Sequence, residues 1–318
     1  MRNAKIFSFV RISENSMVAS VRIARWLAHR LQVPLDWQME RQSPPVDVLI
    51  IVNGAYGFSK HLEALGDAIQ SARVVVWVGN DYTIIPPRDE GDAGSPFRRA
   101  FVQRRIDGKL PTIFWHTCEK WFRLPGSQYV NWNMLTFDEA YDLKRIARRR
   151  RHATDDLFYY GSFRDGSGKA SRVPLFRRYF VEPTVRTVIS SPVDKFRNAF
   201  PRCEHMPAVT EDFHGMIGQF GLGLYIEDRK SSEEFCSPAN RFYEMLSAGL
   251  PMVFQPECGP MLRRSGFDPT PFVVENARAV RKMMERREAI GEKQRHEWVR
   301  DYRKLLVDQV DSAVRALP

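Results

Sequence analysis

Short runs of apolar residues alternate with segments of helical periodicity along the first half of the chain. The runs at 48–52 and 74–78 are continuous and rich in β-branched residues, which is typical of strands covered on both faces. Between residues 17 and 31, apolar positions recur at the spacing of an amphipathic helix. Shorter strands are predicted at 6–10, 113–115 and 129–132. Strands that alternate with helices in this way indicate a parallel sheet with helices on both faces.

A second alternating series follows a basic stretch at 144–152. Its strands are predicted at 156–160, 185–189, 223–226, 252–254 and 272–274. The fold class that follows is α/β, with two Rossmann-like doubly wound domains that face a central cleft. We predict a first domain at 1–152, a second domain at 153–290, and a C-terminal helix at 291–318 that packs back on the first domain.

Composition narrows the class of protein. The 318 residues carry a formal net charge of +10, which favours a polyanionic partner such as nucleic acid. The four cysteines form no CxxC pair and no spacing typical of zinc ligands, so we expect reduced thiols in a cytoplasmic protein. No apolar run is long enough to span a bilayer, and no motif predicts a metal site. We therefore expect no membrane partner and no obligatory cofactor, with a divalent metal acting at most as a stimulator.

The segment at 239–249 predicts a helix that ends at a glycine and leads into the strand at 252–254. Arg241 and Glu244 are three residues apart and share one face of its first turn. A cation and a carboxylate at a helix N-terminus can hold the phosphates and the ribose of a nucleotide diphosphate. A capping carboxylate beside a surface arginine is the alternative interpretation.

The strand at 156–160 leads into a loop in which Gly161 and Ser162 precede Arg164 and Lys169. Small residues at the carboxyl end of a parallel strand let backbone N–H groups approach phosphate oxygens. An ordinary strand-to-helix turn is the alternative. Because open α/β sheets bind ligands at carboxyl strand ends and helix N-termini, we predict that this loop and Arg241 contact the same ligand.

Asp81 follows the apolar strand at 74–78, on the edge of the first sheet where ligands bind. A carboxylate in partly apolar surroundings can act as a general base. A simple turn is the alternative, since aspartate is also common in turns.

The long segment after Asp81 is rich in arginine and contains Phe97 and Phe101. Cations that alternate with aromatic rings can contact a nucleic-acid backbone. A solvated basic helix is the alternative. The candidate DNA-binding residues of this segment are Arg98, Arg99, Arg104 and Arg105.

Taken in order, these motifs resemble the DNA β-glucosyltransferases of T-even bacteriophages. The resemblance rests on the blocks at 48–53, 77–81, 160–164 and 240–244. It implies the glycosyltransferase architecture called GT-B, in which two Rossmann-like domains face a cleft. We expect a monomer in the cytoplasm. If a phage encodes the protein, this is the cytoplasm of the host cell.

The resemblance also implies an activity. It predicts inverting transfer of a sugar, glucose by analogy, from a UDP-sugar to the hydroxymethyl group of a modified pyrimidine in duplex DNA. Asp81 would be the catalytic base, Arg164 and Arg241 would contact the diphosphate, and Glu244 would contact the ribose.

The chain departs from related patterns at two positions. The family has a second arginine four residues after the loop arginine, where this chain has Gly168, so Lys169 or Arg172 would take its place. Many GT-B enzymes that modify sugars carry a glutamate eight residues before the ribose-binding one, where this chain has Cys236. Two alternatives stay open: a GT-B enzyme with a saccharide or lipid-carrier acceptor, and a non-catalytic DNA-binding protein.

Overall fold

The structure is a computed structural model that describes residues 3–8, 19–36, 45–52, 62–79, 111–117, 126–132, 150–165, 171–191, 194–207 and 213–317. The chain divides into two compact units, Met1–Leu135 with Asp308–Pro318, and Thr136–Val307. The domain boundaries predicted from the sequence stay a proposal beside this division.

A parallel sheet of six strands forms the centre of the first unit. The strands are β1 (Ala4–Ser8), β2 (Leu35–Asp36), β3 (Val48–Val52), β4 (Val74–Val78), β5 (Thr112–His116) and β6 (Ser127–Tyr129). They lie in the order β2-β1-β3-β4-β5-β6, and every neighbouring pair is parallel. Strands β3 and β4 are buried along their whole length, as their continuous apolar sequences predict.

Two helices of this unit follow its first strands, α1 (Ala19–Leu31) and α2 (Leu62–Ser71). A third, α11 (Arg300–Arg315), comes from the C-terminal end of the chain and passes into this unit. Arg30 on α1 donates to both carboxylate oxygens of Asp311 on α11, at 2.7 and 2.6 Å. This bidentate ion pair joins the first helix of the unit to the last.

The second unit contains a parallel sheet of five strands in the order β11-β10-β7-β8-β9. The strands are β7 (Leu157–Tyr160), β8 (Thr187–Ser190), β9 (Glu204–Met206), β10 (Leu222–Tyr225) and β11 (Met252–Phe254). Its α-helices are α3 (Val173–Phe180), α4 (Lys195–Ala199), α5 (Phe213–Ile217), α6 (Arg229–Glu234), α7 (Asn240–Ser247), α8 (Gly259–Arg264), α9 (Ala277–Met284) and α10 (Arg287–Gln294). A π-helical turn, Arg295–Val299, connects α10 to α11.

Aromatic side chains cover both faces of this second sheet. On one face, Tyr159 of β7 packs against Phe176 and Phe180 of α3, with ring centroids 5.3 and 5.5 Å apart. Strand register pairs Gly223 with Phe158, so Tyr225 and Tyr160 point to the opposite face. Aromatic rings therefore pack on the strands that lead into the candidate site.

Another cluster of rings forms around Trp298 of the π-helical turn. Its ring lies 5.9 Å from Phe242 of α7, 5.8 Å from Phe254 of β11 and 5.2 Å from Phe267. Because Trp298 contacts both a helix and a strand next to the candidate site, the C-terminal part of the unit supports the position of α7.

The structure corrects two predicted strands. The strand expected at 129–132 is Ser127–Tyr129, because its partner β5 ends at His116 and pairs with the earlier residues. The strand expected at 272–274 is instead a 3₁₀ turn, Thr270–Phe272, followed by a single bridge between Val273 and Phe254. Proline in that turn has no N–H to donate to a sheet.

A matched pair of glycine substitutions tests the close packing between Gly221, just before β10, and the backbone at Thr154. A Cβ added to Gly221 would lie 2.4 Å from the carbonyl oxygen of Thr154, whereas at Gly66 within α2 nothing lies within 4 Å. We expect Gly221→Ala to lower the free energy of unfolding by roughly 1–3 kcal/mol. Gly66→Ala should raise it by up to about 1 kcal/mol, because alanine is the better helix former. Chemical denaturation of the two variants would contradict the packing if Gly221→Ala were as stable as the wild type.

Candidate functional site

The order of strands in the second sheet reverses between β7 and β10. From β7 the chain builds β8 and β9 on one side, and then returns to build β10 and β11 on the other. In open α/β sheets, ligands bind outside the carboxyl ends of the strands at such a reversal. Strand β7 ends at Tyr160 and β10 ends at Tyr225, so the residues that follow these two tyrosines form the candidate site.

Two buried carboxylates follow Ile226, just after the end of β10, and join three arginines into a chain of alternating charges. Glu227 forms ion pairs with Arg172 and Arg241. Asp228 accepts from Nε of Arg172 at 3.1 Å and from Nη1 of Arg164 at 3.3 Å. The order Arg164–Asp228–Arg172–Glu227–Arg241, called the charge chain below, connects residues that are far apart in the sequence.

Arg172 at the centre of the charge chain is buried, with 2% of its side chain exposed. Asp228 is also the N-cap of α6, since it accepts from the backbone N–H of Ser231 at 2.8 Å. Burial opposes the charge of Asp228, but the bonds from Ser231 and the charges of Arg172 and Arg164 outweigh it and lower its pKa. The carboxylate is therefore ionised at neutral pH.

Arg241 lies in the first turn of α7 and reaches back to the end of β10. Its guanidinium donates to Glu227 and to the carbonyl oxygen of Ile226, and stands 4.9 Å from the centroid of the Tyr225 ring. The Tyr225 hydroxyl donates to Glu227 at 3.0 Å and accepts from the N–H of Ala239 at 2.8 Å. Although burial opposes its charge, Arg241 has a raised pKa because the Glu227 carboxylate outweighs the cost of burial.

The loop after β7 has the backbone conformation of a close approach. Gly161 has a φ of +147°, and a Cβ there would lie 3.1 Å from the Tyr159 hydroxyl and 3.4 Å from Nη1 of Arg241. Arg164 has a φ of +33°, which is uncommon for any residue except glycine. Its carbonyl oxygen accepts from the N–H of Arg172 at 3.1 Å, and 53% of its side chain is exposed. Strained backbone of this kind concentrates at functional sites.

Glu244 is held by the other strand of the reversal. The hydroxyl of Tyr160, the last residue of β7, donates to Oε2 of Glu244. Glu244 is buried within α7, one turn after Arg241. The two side chains that the sequence places on one turn are thus bonded to the ends of two neighbouring strands.

The described residues bring together five of the candidate site residues at the reversal of the second sheet. These are Gly161, Ser162, Arg164, Arg241 and Glu244. The remaining candidates lie outside the described residues: Asp81, Lys169, Arg98, Arg99, Arg104 and Arg105. The roles of all of them stay predictions.

Glu227 and Asp228 were not among the site residues predicted from the sequence. The signal that could have indicated them is a pair of acidic residues directly after a run that is typical of a buried strand. Arg172, which together with Lys169 was expected as a candidate second phosphate contact, donates to both of these carboxylates in the structure.

No protein-family model matches the chain, and no curated protein matches it. Solved structures do match. An α-glucosyltransferase, in complex with UDP and a 13-mer DNA containing an HMU base, has 11% identity and a TM-score of 0.57 over 93% of each chain. A complex with UDP-glucose and DNA containing an abasic site has 12% identity and a TM-score of 0.56 over 92% of this chain and 93% of that one.

The chain has the GT-B fold. Identity this low shows the fold alone, and the structures named are of an α-glucosyltransferase. The resemblance of the motifs to the β-glucosyltransferase family therefore stays a prediction from the sequence.

Within the described residues, no group of three or more His, Cys, Asp or Glu side chains is placed to hold a metal ion. No helix in that part of the chain combines the length and the apolar character that crossing a membrane requires.

Removing the centre of the charge chain should be costly. Arg172→Met leaves Glu227 and Asp228 buried with one arginine each, and we expect the free energy of unfolding to fall by roughly 3–5 kcal/mol. Arg197→Met is the matched control, because Arg197 pairs only loosely with the exposed Asp194 at 4.0 Å. That control should change stability by less than about 1 kcal/mol. Equal losses in the two variants, measured by denaturant unfolding, would show that the charge chain contributes little.

Proposed function

We propose that the protein is an inverting glycosyltransferase that moves a sugar from a UDP-sugar to the hydroxymethyl group of a modified pyrimidine in duplex DNA. Glucose is the sugar that the motif resemblance favours. The observation that carries the proposal is the convergence of Arg164, Arg241 and Glu244 at the strand reversal of a sheet within a GT-B fold.

The charge chain suits a pyrophosphate. Its three guanidinium groups and two carboxylates leave one positive charge in excess. Half of the Arg164 side chain is exposed, whereas 11% of the Arg241 side chain is exposed. Arg164 can therefore donate to phosphate oxygens while Asp228 holds it in place. Arg241 borders the same loop, since its Nη1 would lie 3.4 Å from a Cβ on Gly161. Each contact would stabilise the negative charge that develops on the leaving oxygen and would lower the activation barrier by about 3 kcal/mol.

The acceptor half of the proposal rests on the sequence and on similarity. Asp81 would take the proton of the hydroxymethyl group as its oxygen attacks the anomeric carbon. Arg98, Arg99, Arg104 and Arg105 would contact the DNA backbone, in keeping with the net charge of +10. The target base would have to leave the duplex to reach the reacting carbon. Solved structures of the same fold contain UDP together with DNA, which supports this choice of acceptor.

The test of this function is direct. The purified protein would be incubated with a panel of UDP-sugars and duplex DNA that contains hydroxymethylcytosine or hydroxymethyluracil. Mass spectrometry of the digested nucleosides would identify the sugar and the base. Since attack opposite the diphosphate inverts an α-linked donor, the product should carry a β-linked sugar by NMR. An α-linked product would contradict inversion, and a panel without any product would contradict the proposal.

The role of Asp81 has its own variant. Asp81→Ala should reduce transfer at least about 10²-fold while UDP binding is unchanged, because a general base acts on the acceptor rather than on the donor. Asp67→Ala, which alters an exposed aspartate on α2, is the control and should retain full activity. Substantial transfer by Asp81→Ala in a single-turnover assay would remove that carboxylate from the mechanism.

Donor binding provides an independent measurement. Arg241→Ala should weaken UDP binding at least about tenfold, since a charge-assisted contact to phosphate is lost. Arg281→Ala, which alters an exposed arginine on α9, is the control. Titration calorimetry with an unchanged dissociation constant for Arg241→Ala would reject the phosphate assignment.

A further inference from the structure

The hydrogen bond between Tyr160 and Glu244 takes no part in the proposed transfer of the sugar. We propose that Tyr160 is a positioning residue that makes the site select ribonucleoside diphosphates over their 2′-deoxy analogues. The inference rests on the proposed function, because it takes Glu244 as the residue that contacts the sugar of the nucleotide.

Tyr160 occupies a position that connects two parts of the site. It is the last residue of β7 and directly precedes Gly161, where the candidate phosphate loop begins. Its ring stacks on Phe158, with centroids 5.7 Å apart, and its hydroxyl donates to Oε2 of Glu244 on α7. One hydroxyl therefore links the phosphate loop to the helix that carries the candidate ribose contact.

The chemistry of a buried carboxylate gives this bond a consequence. A carboxylate has about four acceptor positions, and the bond from Tyr160 takes up one of them. The bond also restricts rotation of the glutamate side chain, which lowers the entropy lost when ribose binds. A 2′-deoxyribose would leave one acceptor position of the buried carboxylate without its donor, and sites of this kind reject such analogues strongly.

The neighbouring arginine has a partner of its own. Glu244 follows Arg241 by three residues, so the two side chains lie on one helix face. Arg241 is bonded to Glu227, whereas Glu244 accepts from Tyr160, so the two side chains have different partners. Tyr160 thereby keeps Glu244 directed to the sugar and leaves Arg241 to the diphosphate.

Calorimetry with UDP and 2′-deoxy-UDP tests this role. The wild type should bind UDP about tenfold or more tightly than the deoxy analogue, and Glu244→Gln should remove most of that preference. Tyr160→Phe, which keeps the ring, should reduce the preference to about twofold with little change in affinity for the deoxy analogue. Tyr179→Phe is the matched control, because it removes a buried hydroxyl that donates to the carbonyl oxygen of Val274 at 2.7 Å. It should leave the preference unchanged.

The outcomes separate the inference from the proposed function. A preference that Glu244→Gln abolishes and Tyr160→Phe retains would overturn the inference while the ribose assignment of Glu244 stands. Equal weakening of both nucleotides in Tyr160→Phe would also overturn it, since that is the signature of a structural role. A wild type that binds neither nucleotide, or a preference that survives Glu244→Gln, would overturn the ribose assignment and the inference together.

Discussion

The candidate site depends on one buried guanidinium, that of Arg172, which lies between the carboxylates of Glu227 and Asp228. Two adjacent negative charges at the end of a buried strand would repel each other and would lose the solvation that water provides. The arginine between them offsets both costs, and Arg164 and Arg241 each complete the pairing of one carboxylate. Residues that are remote in the sequence thereby become one electrostatic unit.

This unit explains why the surrounding backbone has its particular form. Gly161 has a φ of +147°, which side chains rarely adopt, and a Cβ there would lie 3.1 Å from the Tyr159 hydroxyl, which would have to shift slightly. Arg164 adopts a positive φ in the same loop, and its backbone carbonyl is bonded to Arg172. The loop after β7 and the carboxylates after β10 are therefore positioned by each other, at the point where the order of the sheet reverses. A ligand that binds there meets donors whose orientation is already set, which lowers the entropic cost of binding.

Solved glycosyltransferase structures have the same fold as this chain although only 11–12% of the aligned residues are identical. Alternation of buried strands and amphipathic helices suffices to specify two parallel sheets, and many sequences meet that requirement. The chemistry is decided by few residues at the strand ends. The fold alone does not identify the activity, which depends on residues such as Arg164, Arg241 and Glu244 and on their partners.

The sequence by itself determined the α/β class, the buried strands at 48–52, 74–78 and 252–254, and the helix that carries Arg241 and Glu244. It could do so because continuous apolar runs and helical spacing are local properties of the chain. It did not place the strand at Ser127–Tyr129, whose bounds depend on where β5 ends. Only the tertiary structure decided that Glu227 and Asp228 pair with three arginines and that Tyr160 bonds Glu244. These contacts cross from one strand end to another, and no periodicity along the chain records which side chains meet when separate strands become neighbours in a sheet.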